Sequence, residues 1–398
     1  MRPEERAVLL CGAMARGEDI GEIQSPVFDW AYFFSLCQDE GVLSLAYRSL
    51  RKGRAAHSIP KHIRDRFEDS YYTLAAYNTI VYERAEQVMS AFKQSRIPVI
   101  ALKGVFLADR IYASIVLRPM ADIDLLVHTA DIEKAGRVLL ALGYAAPCRF
   151  MNYQKAKQAS PVNSIMYKPV DTRYPPIHLH WHLINSTWPL EHWVNAMSMD
   201  RVWERAEAVV VNGSEILCLD IHHQILYLCH HCLSHALSKL RLFIDILEVL
   251  RAYRDRLDWH ALRHEAERFD QLVMVYYVLN AVSVFFGYPI PQLDELRPRH
   301  MGLPERFILR CIRTGMRNYL LSYLTYFFTL RPIERMRFIA RTLFPSRYVI
   351  AHNLSLPAEK VRMSHYAGRI ARNLRGFAGL IAAGILSRCL LHARGGSA

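Results

Sequence analysis

The run LRPMADIDLLVH, Leu117 to His128, sets two aspartates one residue apart inside an otherwise apolar segment. Ile123, Leu125, Leu126 and Val127 read as a buried strand. A strand points residues i and i+2 to the same face, so the carboxylates of Asp122 and Asp124 stand side by side. Like charges that close repel, which costs stability and raises one of the two pKa values unless something positive sits between them. A divalent metal ion is the candidate for that positive group.

Around this strand the chain changes character twice. Up to about residue 95 it reads as helices. SPVFDWAYFFSLCQDE opens with Ser25 as an N-cap and Pro26 at the first helical position. The stretch IRDRFEDSYYTLAAYNTIVYERAEQVMSAFKQSRI spaces apolar residues three and four apart without Gly or Pro, which predicts one long amphipathic helix. Its tyrosines, Tyr71, Tyr72, Tyr77 and Tyr82, read as packing. At IPVIALKG an Ile/Val run entered through Pro98 and closed by Lys103-Gly104 predicts a strand into a turn. VFLADRIYAS then reads as helix, and after the aspartate strand DIEKAGRVLLALGY reads as a helix from an Asp131 cap to Gly143.

Pro147 to Asp171 is polar and without clear pattern. In PPIHLHWHLIN, Ile177, Leu179, Trp181 and Leu183 alternate with His178, His180 and His182, a period of two that assigns one face to the core and three imidazoles to the other. From Asp220 to about Tyr253 the chain reads as helical, and LDWHALRHEAERF and YYVLNAVSVFFGYPIP continue that way. The expected architecture is α+β: a helical N-terminal region (1–95), a small α/β core with a mixed sheet (96–215), and a helical C-terminal domain with a basic tail (216–398).

Composition narrows the class. With 52% hydrophobic and 11% aromatic residues the chain is ordinary globular protein. The N-terminal apolar piece is too short and too charged for a secretory signal, and GFAGLIAAGILS (376–387) falls short of the roughly 20 residues a bilayer span needs. A soluble, cytoplasmic protein is expected. Of eight cysteines only Cys229 and Cys232 form a close pair; no second CxxC partners it, so buried thiols in a reducing compartment are expected rather than a zinc or redox site. From Arg331 onward twelve Lys/Arg face two Glu, which places +10 of the formal +13 in the last sixth of the chain. Such a tail suits anionic partners, nucleic acid or a membrane surface among them, but no nucleic-acid motif accompanies it and packing on the helical domain fits it equally.

Taken together, LKG (102–104) and RPMADIDLLV (118–127) resemble the nucleotidyltransferase superfamily, in which a glycine-bearing turn after the first strand precedes a strand carrying Asp-x-Asp. More narrowly the chain resembles an uncharacterised bacterial nucleotidyltransferase-like family often associated with lasso-peptide and other peptide natural-product clusters. IHLHWHL, HCLSHALSKLRLFIDI, LDWHAL, FFGYPIP and LFPS extend the resemblance over about residues 25 to 375. It implies a nucleotidyltransferase-like sheet and a cytoplasmic enzyme that moves a nucleoside monophosphate, or a related phosphate-linked group, from a nucleoside triphosphate to a peptide or small-molecule hydroxyl.

Transfer at phosphorus needs positioning and charge neutralisation more than covalent help. Under this reading Asp122 and Asp124 are catalytic and hold Mg²⁺ or Mn²⁺. Lys103, Gly104 and Arg118 bind the nucleotide: the glycine lets backbone approach the phosphates, Lys103 is a nearby cation, and Arg118 pairs with a phosphate or orients the carboxylates. Active members usually add a third carboxylate from a later strand, and here the matching position is His178. Imidazole is a competent base near neutral pH but a poor Mg²⁺ ligand that favours Mn²⁺, Zn²⁺ or Fe. Three alternatives follow: His178 serves as base or softer-metal ligand; Asp171, Glu191 or Asp245 supplies the acid; or the protein is a catalytically degenerate nucleotide- or peptide-binding accessory.

His180 reads as structural or substrate-orienting and His182 as solvated. Side chains on one strand face are about 6 to 7 Å apart, so neighbouring pairs chelate but three in a row do not. His231 and His235 share a helix face, as do Arg241 and Asp245, and these four would close the acceptor side of the cleft. Asp245, set among Phe243, Ile244 and Ile246, requires a partner, with Arg241 the nearest candidate.

Overall fold

Ile63, Phe67, Val81, Ala85, Val88 and Phe92 lie on the buried stripe of a 34-residue helix, Lys61–Gln94, as the three-and-four spacing predicts. In the computed structural model this helix is the fourth of the chain. The structure describes residues 3–13, 28–52, 59–112, 114–146, 162–185, 190–211, 214–299, 301–354, 356, 358–372 and 374–375. The expected Ser25-Pro26 helix start, residues 147–161 and the apolar segment 376–387 lie outside them.

Helices α1 (Pro3–Ala13), α2 (Trp30–Glu40), α3 (Leu43–Lys52) and α4 (Lys61–Gln94) precede β1 (Val99–Ala101), α5 (Gly104–Arg110), β2 (Ile123–Val127) and α6 (Ile132–Ala141). Strands β3 (Tyr144–Ala145), β4 (Ser164–Pro169) and β5 (Ile177–His180), helices α7 (Glu191–Ala196) and α8 (Met199–Glu204), and the hairpin β6 (Glu207–Val211) and β7 (Ser214–Cys218) complete the strand-bearing part. Then come α9 (Ile221–Ser234), α10 (Leu240–Ala252), α11 (Trp259–Arg268), α12 (Leu272–Phe286), α13 (Leu303–Arg313), α14 (Tyr319–Thr329), α15 (Pro332–Leu343) and α16 (Arg347–Asn353). No helix among the described residues is long and apolar enough to cross a membrane.

The strands form one mixed seven-stranded sheet, order β3-β4-β5-β2-β1-β7-β6, with helices on both sides, so the fold is α+β. β2 pairs antiparallel with β1 and parallel with β5. One face of the sheet, with Ala101, Ile123, Leu125, Val127, Ile165, Ile177 and Leu179, is sealed by the apolar stripes of α4 and α6. Ile100, Leu102 and Leu126, on the opposite face, join a larger core. That core holds Phe33, Leu45 and Phe67 from the N-terminal helices together with Phe243, Tyr277 and Ile308 from the C-terminal ones. α1 packs on both α10 and α12.

The structure departs from the sequence reading at the α9–α10 junction and at His182. The helical run expected from Asp220 to Tyr253 breaks between α9 and α10, where Ala236 and Leu237 take positive φ values of 62° and 55°. β5 ends at His180, so His182 lies beyond the strand. There it is buried rather than solvated, with its Nε2 3.2 Å from the Val194 carbonyl and its Nδ1 accepting from the Ile184 N–H at 2.9 Å. Cys229 and Cys232 are buried thiols on α9, pushed up by burial.

The loop that leads into β2 is fastened from both sides. Asn78 of α4 donates to the carbonyls of Ile115 and Arg118. Arg118 itself donates from Nε and Nη2 to the two carboxylate oxygens of Asp245 on α10, both at 2.9 Å, and the Tyr112 hydroxyl donates to the same carboxylate at 2.7 Å. The expected Arg241–Asp245 pair is not formed. Arg241 donates instead to the Pro119 carbonyl at 2.8 Å, because the planar guanidinium of Arg118 reaches the carboxylate in a two-pronged geometry. Arg118 and Asp245 are 4% and 1% exposed, so removing one partner strands the other's charge. Arg118→Met is therefore expected to cost about 3–5 kcal/mol in urea unfolding, and Arg118→Met with Asp245→Leu to recover most of that loss. A loss below 1 kcal/mol for the single variant contradicts the clamp.

Candidate functional site

The parallel register of β2 on β5 sets Asp124 opposite His178 and Leu126 opposite His180. These side chains rise from the sheet face away from α4 and α6. Asp124 Oδ1 is 2.9 Å from His180 Nε2, 3.4 Å from His178 Nδ1 and 3.3 Å from Lys103 Nζ. Asp122, one step before β2, has its Oδ2 4.0 Å from His178 Nδ1, and its side chain is 30% exposed against 6% for Asp124. The predicted adjacency of the aspartates therefore exists, with one carboxylate buried and one at the rim. One atom each from Asp124, His178 and His180 lies within 4.8 Å of the others, a spacing able to hold a metal ion.

Lys103 reaches Asp124 through unusual backbone. It takes φ 41° and ψ −106°, a sparsely populated conformation for a residue with a side chain. Its ammonium also lies 5.3 Å from the centroid of the Tyr227 ring on α9. Gly104, by contrast, starts α5 and is buried. A Cβ there would stand 3.1 Å from Met120 Cγ and 3.3 Å from Arg118 Nη1. Met120 and Arg118 thus occupy the space that a side chain at this position would need. Arg118 likewise points its paired donors at Asp245 rather than toward a phosphate.

The two carboxyls titrate apart. Burial, and then the Asp124 charge, raise Asp122 to about 6. Burial also opposes ionisation of Asp124, but the Lys103 charge and the hydrogen bond from His180 hold it well below the usual carboxylate range. Burial drives Lys103 toward neutrality, and the Asp124 charge outweighs it, so the ammonium is held above its ordinary value. His180 is pushed down to about 3, chiefly by burial, and is neutral.

His178 Nε2 meets the Ser164 hydroxyl of β4 at 2.7 Å, and that hydroxyl donates to Asn185 Oδ1. Sequence reading missed both residues. Ser164 falls in the stretch without pattern, and Asn185 had only its place just after the histidine strand to signal it. On α9, the rings of Tyr227 and His231 are 6.2 Å apart and those of His231 and His235 4.3 Å, a line of side chains leading outward from Lys103. Burial and the Lys103 charge push His231 well below its ordinary value. Asp171 pairs with Arg173, Glu191 with Arg341 and Asp245 with Arg118. None of these three is therefore a free third carboxylate.

Asp122 ionises near pH 6 in the folded, metal-free chain but near 3.8 in the unfolded one. The native state holds the extra proton between those values, so stability falls as pH rises from about 4 to about 6. Asp122→Asn removes that loss. In chelator at pH 7 the variant is expected to be about 1–2 kcal/mol more stable by urea unfolding, after allowance for partial exposure, with the gain vanishing toward pH 4. Equal stability of the two proteins at pH 7 rules out the strained carboxylate pair.

Residues 26–287 match the profile of a family described as uncharacterised nucleotidyltransferase. The match ends before the C-terminal landmark LFPS. No curated protein and no solved structure matches the chain. A match over more than half its length, with the Asp-x-Asp strand inside it, makes this chain a member of that uncharacterised nucleotidyltransferase family.

Proposed function

We propose that this protein transfers a nucleoside monophosphate from a nucleoside triphosphate to a hydroxyl group of a peptide or small molecule, with a divalent cation held at Asp122 and Asp124. The observation that carries this reading is the convergence of two carboxylates, the Lys103 ammonium and two imidazoles on one face of the sheet. The donor set fits a divalent ion: Asp124, His178 and His180 each offer one ligand atom within 4.8 Å of the others, and Asp122 Oδ2 stands 4.0 Å from His178 Nδ1. When bound, such an ion neutralises phosphate charge and stabilises the leaving oxygen.

The chain's own groups do the rest. Asp122 and Asp124 fix the cation against the sheet, and Lys103 offsets the Asp124 charge while remaining protonated beside the phosphates. In the transfer the acceptor oxygen bonds to the α-phosphorus as the bond to the bridging oxygen breaks. Pyrophosphate leaves with that electron pair, and the hydroxyl proton passes to solvent. His231, His235 and Arg241, on the C-terminal helices, line the acceptor side. A peptide acceptor in natural-product maturation, lasso peptides included, is the version that the family resemblance suggests.

A second reading, a degenerate nucleotide- or peptide-binding accessory, is favoured by one observation, the imidazole of His178 where a third carboxylate is expected. Incubation with each nucleoside triphosphate and Mg²⁺ or Mn²⁺ separates the two. The transferase reading expects pyrophosphate release and a mass gain on an acceptor, reduced about 100-fold or more in Asp122→Ala and Asp124→Ala. Nucleotide binding without release, whatever the acceptor supplied, supports the accessory.

A further inference from the structure

We infer that His178 is the third ligand of the cation, bound through Nδ1, and that Ser164 and Asn185 are positioning residues that keep this nitrogen free, so that the site prefers a borderline cation such as Mn²⁺ to Mg²⁺. The inference rests on the reading of Asp122 and Asp124 as metal ligands.

The Ser164 hydroxyl has one hydrogen, and it goes to Asn185 Oδ1. The contact of the same oxygen with His178 Nε2, at 2.7 Å, must then be donated by the imidazole. An imidazole binds a metal in its neutral form, which carries a single N–H, so with that hydrogen on Nε2 the lone pair is on Nδ1. That nitrogen is the one that faces Asp124 Oδ1 at 3.4 Å and Asp122 Oδ2 at 4.0 Å. Neighbouring ligand atoms on an octahedral ion bonded at about 2.1 Å stand about 3 Å apart, so only small side-chain shifts separate this arrangement from coordination.

His180 does the other task. Two acceptors do not approach to 2.9 Å, so its Nε2 carries the hydrogen and donates to Asp124 Oδ1. Its Nδ1 is buried and has no partner among the described residues. It orients the carboxylate and leaves the nitrogen ligand to His178. The segment carrying Asn185 is itself fixed, since Asn163 donates its backbone N–H to the Asn185 carbonyl and its side-chain amide to the Ile184 carbonyl. An imidazole nitrogen beside two carboxylates is a donor set that favours Mn²⁺ over the strictly oxygen-seeking Mg²⁺.

The test uses the full chain and Mn²⁺ alone, read by electron paramagnetic resonance titration and by electron spin-echo modulation, which detects a directly bound imidazole nitrogen. Wild-type protein is expected to bind Mn²⁺ about tenfold or more tightly than Mg²⁺ by competition, and to show nitrogen modulation. The modulation disappears in His178→Ala and persists in His180→Ala. His178→Asp loses it too and brings the two affinities together. Ser164→Ala and Asn185→Ala weaken Mn²⁺ about 10- to 100-fold with little change for Mg²⁺, and Asn185→Asp, which keeps an acceptor facing Ser164, retains the preference.

Absence of nitrogen modulation in Mn²⁺-loaded wild-type protein overturns the inference without recourse to any variant, and so does modulation that depends on His180 instead. Pyrophosphate release with no bound nitrogen overturns this inference alone. Bound nitrogen with no release overturns the transferase reading alone, and failure to bind Mn²⁺ overturns both.

Discussion

An ionised carboxylate buried at Asp124 is the constraint around which the site is arranged. Taking such a group out of water costs several kcal/mol unless charge and hydrogen bonds replace the lost solvation. Here the replacement comes from two directions at once: Lys103 just after β1, and the His180 N–H on β5, beside which His178 stands. Each depends on register. Slipping β5 by one residue along β2 would turn both imidazoles to the face sealed by α4 and α6 and bring Leu179 or Ile177 to Asp124 in their place. The positive φ of Lys103 has the same cause, since it turns the side chain back toward the strand that carries the aspartate.

The C-terminal helices belong to this arrangement rather than to a separate body. Asp245 on α10 takes up Arg118, and Arg241 on the same helix holds the Pro119 carbonyl, so the four residues before Asp122 are pinned from a helix more than a hundred positions away. α9 brings Tyr227 against Lys103. The sheet thus has one face given over to apolar packing and one whose polar groups are completed by helices that follow it in sequence.

Much of this was legible in the sequence, and the limits have physical causes. Asp-x-Asp in an apolar run, the strand before Lys103 and the alternating histidines are short-range patterns of period two, and Asp124, His178 and His180 hold their strand positions in the fold. Pairings across long separations leave no such trace: the guess of Arg241 for Asp245 used helix spacing, whereas Arg118 wins from 127 positions away by matching the carboxylate with two parallel donors. The break between α9 and α10 was hidden because Ala236 and Leu237, both helix formers, adopt left-handed backbone under tertiary packing. The packing of Met120 against Gly104 is likewise a tertiary contact that no local pattern announces.

The histidine at position 178 also changes what the metal-free protein must tolerate. Burial, and then the Asp124 charge, raise Asp122 to about 6 even though the Lys103 ammonium beside Asp124 and the Arg118 guanidinium oppose the rise. A carboxylate in place of His178, 3.4 Å from Asp124 and 4.0 Å from Asp122, would set three anions against that one ammonium. It would hold a proton near neutral pH or strain the fold until a cation arrived. An imidazole offers a ligand atom without adding negative charge, and the Ser164 contact keeps its proton on the far nitrogen. Under the proposed cation site, the histidine would therefore separate folding from metal supply: the chain would assemble the site first and take up the ion afterwards.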